Sequence, residues 1–530
     1  MKESEIFINQ IGYRLLDNKN VFVSKAVVGE SSNFEVCEKA SGKTVFTGTL
    51  IAAPEDEESG GGYFTGDFSA VQAAGEYFVK AGDEQSFSFK LSDDVYDDLT
   101  LSTLKYFTDS RCGQGVCHTG IAEVYGTGEK KNVQGGWHDA GDYGRYVVAG
   151  AKAVMDLLLG YKKCPDAFKR FDILGEVRFE LEWMLQMQRE DGAVYHKISC
   201  YHFCPFIMPQ EEKDQLVLAP VSTAATADFA GCLAYASGFY KEADPAFAES
   251  LLQASIKAQN YLFSHDDEFY INPPEITTGG YGDRDVRDER YFALCALFGA
   301  TGDANYLNHA LKYREDKKKD KPDPKHPWNS GWQEGFGWPF VSGYGTEILL
   351  GHEDQLEAEL LAEIHSGIIS QAERYLENCN LSAFKYCSKF VFWGSNGAIC
   401  DLAHILFMAY DLTGRKDFLC AAKAQVDFIL GCNPLNYCYV TGAGTKQVLH
   451  PHHRPSGASK KVYPGMLAGG PCGALLDAYA KEHLTGLPAL KCYADAEPSY
   501  STNEVAIYWN SAFVYIMARI DCEKAGILVK

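Results

Sequence analysis

Phe87-Ser88-Phe89-Lys90-Leu91 alternates apolar and polar residues, and Ser92-Asp93-Asp94-Val95-Tyr96 ends the alternation. A period of two is the pattern of a half-buried strand. Upstream the same grammar marks Ile6–Ile11, Val21–Ala26, Phe34–Glu38, Val45–Thr49, Tyr63–Phe68 and Glu76–Lys80, separated by Gly and Asp/Asn. Short strands at this density predict an immunoglobulin-type β-sandwich over residues 1–94. No Cys-Trp-Cys pattern is present, so the expectation rests on strand spacing. Downstream the period becomes helical, as in Val147, Ala151, Val154, Leu157 and Leu158. Helices are expected over Gly144–Tyr161, Ile173–Gln188, Ser222–Tyr240, Phe247–Phe263, Arg287–Ala300, Ala358–Glu377, Asn396–Leu412, Phe418–Cys432 and Val505–Ile520. About a dozen helical segments around one core would form a helical ring over residues 95–530. The long loops between them hold the glycines, prolines, tryptophans and histidines, and loops on a rigid frame are where function concentrates.

A formal charge of −22, from 71 acidic and 49 basic residues, repels nucleic acid and anionic membrane surfaces and suits a neutral substrate. No run approaches the ~18 apolar residues of a membrane span. Met1-Lys2-Glu3-Ser4 lacks the apolar core of a signal peptide. The 17 cysteines have no small-domain disulfide spacing, which favours a reducing compartment. A cytoplasmic, monomeric protein is expected; a secreted one follows if a signal peptide has been removed.

The stretch Gly135–Arg145, G-G-W-H-D-A-G-D-Y-G-R, sets Asp139 and Asp142 on a segment too rich in glycine for mid-helix or mid-strand. Trp137 and Tyr143 flank the acids with flat apolar faces of the kind on which a sugar ring stacks. An Asp-Gly turn with Asp142 capping the next helix is the plain alternative. Tyr493–Ser511 carries Asp495 and Glu504, with Asn503-Glu504 expected to open the last helix, where an acid also suits the helix dipole. His450-Pro451-His452-His453-Arg454-Pro455 reads as a rigid ligand-binding loop.

Together these stretches resemble glycoside hydrolase family 9, the inverting β-1,4-glucanases. The resemblance also includes S-T-A-A-T-A-D-F-A from Ser222, W-G-S-N from Trp393, Gly431–Pro434, L-A-G-G-P from Leu467, and N-Q-I-G-Y from Asn9 to Tyr13. It implies an (α/α)6 barrel preceded by an immunoglobulin-like domain. It also implies Asp142 as general base, Asp139 as the residue orienting the water, and Glu504 as general acid. His452 and Arg454 match the family's substrate-binding pair, Asp495 its second carboxyl-terminal acid, and Trp509 stands where the family usually has Tyr. Inversion requires one carboxylate to activate water and one carboxylic acid to protonate the leaving oxygen. An apolar neighbourhood, with Trp509 as one candidate, would keep Glu504 protonated.

Cys112, Cys117, His118 and His138 have the ligand types of a closed zinc centre. Spacing alone favours two buried free cysteines and two hydrogen-bonded histidines, and the resemblance implies zinc. Cys200 and Cys204 form a rival pair without matched ligands. Asp283, Asp285, Asp288 and Glu289 supply oxygen donors of the kind calcium takes, the resemblance implies calcium at the Asp-Glu pair, and a solvated acidic turn is the alternative. Trp328, Trp332 and Trp338 are open between subsite and core. The expected activity is endo-acting hydrolysis of β-1,4-glucan or cello-oligosaccharide. An exo-acting cellodextrinase, a glucosaminidase of the same machinery and a non-catalytic carbohydrate binder are the competing readings. Intact Asp139, Asp142 and Glu504 argue against the binder.

Overall fold

The computed structural model describes residues 4–28, 32–113, 120–321 and 331–523. These form two compact units, one of Met1–Tyr106, Gly160–Phe171 and Ala372–Lys530, the other of Phe107–Leu159 and Asp172–Gln371.

The first unit begins with two sheets. One orders β1 (Ile6–Phe7), β3 (Asn20–Ser24), β7 (Tyr63–Asp67) and β6 (Ile51–Ala52). The other orders β2 (Gly12–Tyr13), β10 (Phe89–Leu91), β8 (Gly75–Ala81), β4 (Asn33–Glu38) and β5 (Thr44–Thr49), with β9 (Glu84–Gln85) beside β8. Alternation decides what each strand buries: Phe89 and Leu91 face the core and Lys90 faces solvent. Tyr13 sits edge-on between Phe68 and Phe89 at 5.4 and 5.6 Å. The single expected strand Ile6–Ile11 is broken, because the chain turns at Asn9 to make β2 a separate, parallel partner of β10. Gly12 has φ +132°, and a Cβ there would lie 1.9 Å from the Lys90 carbonyl oxygen, so only glycine fits this crossing.

The N-Q-I-G-Y stretch fastens the sandwich to the helices of the same unit. Asn9 donates to Asp427 (2.8 Å), and the Gln10 side chain donates to the Asn436 carbonyl (2.8 Å) while accepting from the Thr445 and Lys446 amides. Asp427 is in turn paired with the buried Lys423. The helices Ser395–Thr413, Lys416–Ile429 and Ile507–Cys522 pack on one another. Cys164 and Cys522 form a disulfide, which the scattered cysteine pattern does not announce. No helix among the described residues is long and apolar enough to cross a membrane.

In the second unit, Thr223–Tyr240 packs against Ile173–Met187, Pro245–Ser264 and Arg287–Thr301, and the last against Ala304–Lys317 and Ser342–Leu350. N-caps start these helices where the sequence changes: Ser222 accepts from the Ala225 amide and Asp244 from the Phe247 amide. A five-stranded sheet, not expected from the sequence, orders β12 (Lys130–Asn132), β11 (Ile121–Val124), β15 (Leu216–Leu218), β14 (Lys197–Cys200) and β13 (Arg145–Tyr146). Its β13–β14 pairing sets Tyr146 opposite Lys197, immediately after the acid-bearing loop.

Candidate active site

In the second unit, Gly135 and Gly136 adopt φ +83° and +80°. A Cβ on Gly136 would come within 2.6 Å of the Trp183 ring, so glycine lets the loop lie flat on that side chain. Two acids one helical turn apart on Ile173–Met187 then pin it. Glu180 accepts the Trp137 amide (2.6 Å), and Glu176 accepts the Trp137 indole N–H (2.9 Å) together with Arg111 (2.8 Å). Trp137 and Tyr143 are therefore not sugar platforms: they are 1% and 3% exposed. Burying an indole or phenol demands a partner for its polar tip, and Tyr143 finds the Ile207 carbonyl at 2.6 Å.

Burial pushes the Glu180 carboxyl up to about 8, against the Trp137 amide and Arg145, which lower it. Its folded value exceeds its unfolded one, so the proton favours the fold: that contribution is complete below pH ~4.5 and lost as pH rises through ~8. Glu180→Gln keeps an acceptor for Trp137. It should flatten the fall in melting temperature between pH 5 and 8; an unchanged pH slope would refute this role.

The two loop acids are held by tyrosines. Tyr146 Oη donates to Asp142 Oδ2 (3.2 Å), as does the Gly144 amide (3.1 Å). Tyr281 Oη donates to Asp139 Oδ2 (2.6 Å), while Asp139 Oδ1 is buried without a partner. Burial, then the charge of Asp142, raises the Asp139 pKa well above the carboxylate range. Asp139 is thus able to hold a proton beside Asp142. Tyr281 reaches Asp139 in a left-handed conformation, φ +47°, between Gly280 and Gly282. Trp338 packs edge-on against it at 5.0 Å. Trp332 lies instead against Tyr291 and Arg314, and Trp328 falls outside the described residues. Asp142 also lines a shallow pocket with His202, Cys204, Glu212 and Thr278.

In the first unit, Glu504 is not in a helix. It follows the short helix Tyr500–Asn503 in extended conformation, three residues before Ile507, and its carbonyl accepts the Gly469 amide (2.7 Å). A β-bridge sets it beside His452, whose Nδ1 lies 2.6 Å from the Glu497 carbonyl. Arg454 opens the short helix Arg454–Ser459 and is largely buried. Asp495 accepts from Leu449 (2.8 Å), His450 (2.7 Å), Tyr437 (3.0 Å) and Asn503 (3.1 Å), so its oxygens are committed to fixing the histidine loop. Trp509 is 6% exposed. Its ring fills a glycine cradle: a Cβ on Gly397 would lie 2.3 Å from it and one on Gly394 2.6 Å. The exposed aromatic faces beside His452 are Tyr500 and, against it at 5.3 Å, Trp393.

Of the expected zinc ligands, Cys117 and His118 fall outside the described residues. Cys112 and His138 are buried on neighbouring backbones, joined by the Cys112 amide to Gly136 carbonyl (2.8 Å) and His138 amide to Ser110 carbonyl (2.7 Å) bonds. That donor chemistry fits a thiolate-imidazole centre. Of the expected calcium ligands, Asp285 is gripped by Arg287 (2.7 Å), and Asp288 accepts Lys317 (3.1 Å) and the Val341 amide (3.0 Å). Both oxygens of Glu289 and both of Asp228 are buried without hydrogen-bond partners. Burial and the neighbouring acids raise both carboxyls well above the usual range. Asp228, from the Ser222 motif, is the acid that sequence reading missed. Among the described residues no three His, Cys, Asp or Glu side chains are arranged around one ion position.

Comparison with known proteins adds the following. The model for glycosyl hydrolase family 9 matches residues 96–517, and that for the cellulase N-terminal ig-like domain matches residues 1–86. A cellodextrinase of Butyrivibrio fibrisolvens is 34% identical over 97% of this chain and 99% of its own length. Endoglucanase D of Acetivibrio thermocellus is 29% identical over 97% and 83%. A single-mutant thermostable endoglucanase from Alicyclobacillus acidocaldarius superposes with a TM-score of 0.90 at 32% identity, covering 98% of this chain and 100% of that one. The fold class is accordingly mainly α, an (α/α)6 barrel preceded by an immunoglobulin-like β domain.

Proposed function

Because the chain belongs to glycosyl hydrolase family 9, we propose that it is an inverting hydrolase of β-1,4-glucosidic bonds in soluble β-glucan and cello-oligosaccharides. Asp142 is the general base, Asp139 orients the attacking water and Glu504 is the general acid. The observation that carries this is the Asp139–Asp142 pair: two adjacent carboxyls, each held by a tyrosine hydroxyl, with burial and the neighbouring charge keeping Asp139 from ionising. A water between such groups meets two carboxyl acceptors, one of them pushed by burial toward its protonated form, which suits deprotonation of water. His452, Arg454 and the Trp393–Tyr500 faces bind sugar, while Asp495 and Trp509 brace the acid-bearing segment.

Endo-acting cleavage is the leading reading, since relatives of both sequence and structure are endoglucanases. Exo-acting cleavage of short cellodextrins is the second, favoured by the end-to-end match to a cellodextrinase. Carboxymethylcellulose viscosity and cellopentaose products separate them. A rapid viscosity fall supports endo action, and unchanged viscosity with stepwise cellopentaose shortening supports exo action. Hydrolysis of neither would contradict both.

The proposal extends to two structural metals. Zinc would be held by Cys112, Cys117, His118 and His138, and when bound it cross-links the segment behind the catalytic loop. Calcium would be held at Asp228 and Glu289, whose unpartnered buried oxygens need either a cation or protons. Metal analysis should find about one zinc per chain if the centre is of the closed structural type. Chelation should lower the melting temperature, and calcium should restore the part that Asp228→Asn cannot recover. A metal at 100-fold its Kd stabilises by about 2.7 kcal/mol. A metal-free protein whose melting ignores both chelator and calcium would refute the sites.

A further inference from the structure

Lys197 is fully buried on β14, one residue from His196, and pairs across the β13–β14 ladder with Tyr146. A buried ammonium is costly unless oxygens or charges surround it. Here Nζ donates to Thr278 Oγ1 (2.9 Å), to the Thr278 carbonyl (3.4 Å) and to the Gly279 carbonyl. His196 takes the next step along the same segment, with Nε2 2.8 Å from the Gly280 carbonyl and Nδ1 2.8 Å from Ser222. The next residue is Tyr281, which donates to Asp139 from its left-handed conformation. Lys197, the first residue of β14, and His196 just before it therefore seat the three carbonyls that precede the tyrosine. On its other side Nζ lies 5.4 Å from the centre of the Tyr146 ring, whose hydroxyl donates to Asp142.

We propose that Lys197 is a positioning residue for the acid pair: its ammonium is the buried positive charge facing Asp142, and its bonds to residues 278 and 279 seat the segment that delivers Tyr281 to Asp139. The proposal rests on the assignment of Asp142 as the base.

The electrostatics run the same way. Burial lowers the Lys197 pKa to about 7, and the Asp142 carboxylate is what pushes it back up. The other groups around Lys197 are neutral: His196 is held down to about 3, chiefly by burial, and burial raises Tyr146 and Tyr270 well above neutrality. Asp142 is faced by Asp139, by Tyr146 and, around its pocket, by His202 and Glu212. Of the groups facing either side chain, Lys197 is therefore the buried cation on which the charge of Asp142 bears. A positive charge opposite a carboxylate favours its ionised form. Removing that charge is therefore expected to move the acidic limb of kcat/KM rather than only to scale the rate.

The test is the pH dependence of kcat/KM on cellotetraose for Lys197→Gln, Lys197→Arg and Lys197→Met, with Asp142→Asn alongside and melting curves for each. Lys197→Gln keeps amide donors for Thr278 and Gly279 but removes the charge; its acidic limb should move up by at least half a pH unit. Lys197→Arg should return the limb to the wild-type position. Lys197→Met removes both roles and should lose at least tenfold at the optimum; if it fails to fold, Lys197→Gln and Lys197→Arg still decide. A Lys197→Gln limb at the wild-type position, or a Lys197→Arg limb displaced as far as that of Lys197→Gln, overturns the proposal while Asp142→Asn is inactive. Normal turnover by Asp142→Asn would instead overturn the assignment of the base.

Discussion

Asp142→Asn is expected to lower kcat on cellotetraose by two to four orders of magnitude, because general base assistance contributes roughly 10²–10⁴. The amide still accepts from Tyr146 and the Gly144 amide, so the loop keeps its geometry. Glu176 and Glu180 still pin Trp137. Cellotetraose should therefore bind with little change, and the loss should appear in kcat rather than KM. A parallel loss of binding would mean that the loop had collapsed. Turnover near wild type would mean that Asp142 is not the base. Asp139→Asn should be milder in rate and more stable in the fold. Its native carboxyl is raised by burial, so it opposes folding as pH climbs from its unfolded value through its folded one. The amide removes that pH-dependent penalty.

Glu504→Gln should show a loss of similar size, but one that depends on the leaving group. A glucosyl alkoxide leaves poorly without a proton, whereas a dinitrophenolate leaves unaided. Cellodextrin turnover should fall by roughly 10²–10⁴, while an activated aryl cellobioside should be cleaved within about tenfold of the wild-type rate. Equal losses on both substrates would remove Glu504 from the role of acid. The backbone around Glu504 is held by main-chain bonds to Gly469 and Tyr500 and by the bridge to His452, none of which the substitution touches. The variant should therefore melt like the wild type.

Periodicity carried most of the fold. Phe89 and Leu91 fall on the buried face as their alternation requires, and Ser222 caps the helix that begins at Thr223. The five-stranded sheet was illegible for a physical reason. Its strands are two to four residues long, too short for a period to register, and Lys197–Cys200 is buried throughout. The acids Asp139, Asp142 and Glu504 stood out because glycine-rich and polar surroundings exclude a core role. Their supports did not. Tyr281 lies in a stretch whose acids drew the reading toward calcium, and Glu176 and Glu180 look like ordinary helix-surface residues until Trp137 is seen to need acceptors. Trp137 and Tyr143 misled in the other direction, since an aromatic beside an acid reads the same in sequence whether its ring faces solvent or core. Glu504 was expected at a helix start. The pairing of Val505 with Ala468 holds that segment extended and delays the helix to Ile507.

Inversion at the anomeric carbon tests the central claim most directly. A base that activates water attacks from the face opposite the leaving group, so each β-linked bond yields a new reducing end in the α configuration. Proton nuclear magnetic resonance during the first minutes of cellotetraose hydrolysis, before mutarotation, should show the α-anomer accumulating first. Initial accumulation of the β-anomer would contradict the inverting mechanism and the role given to Asp142.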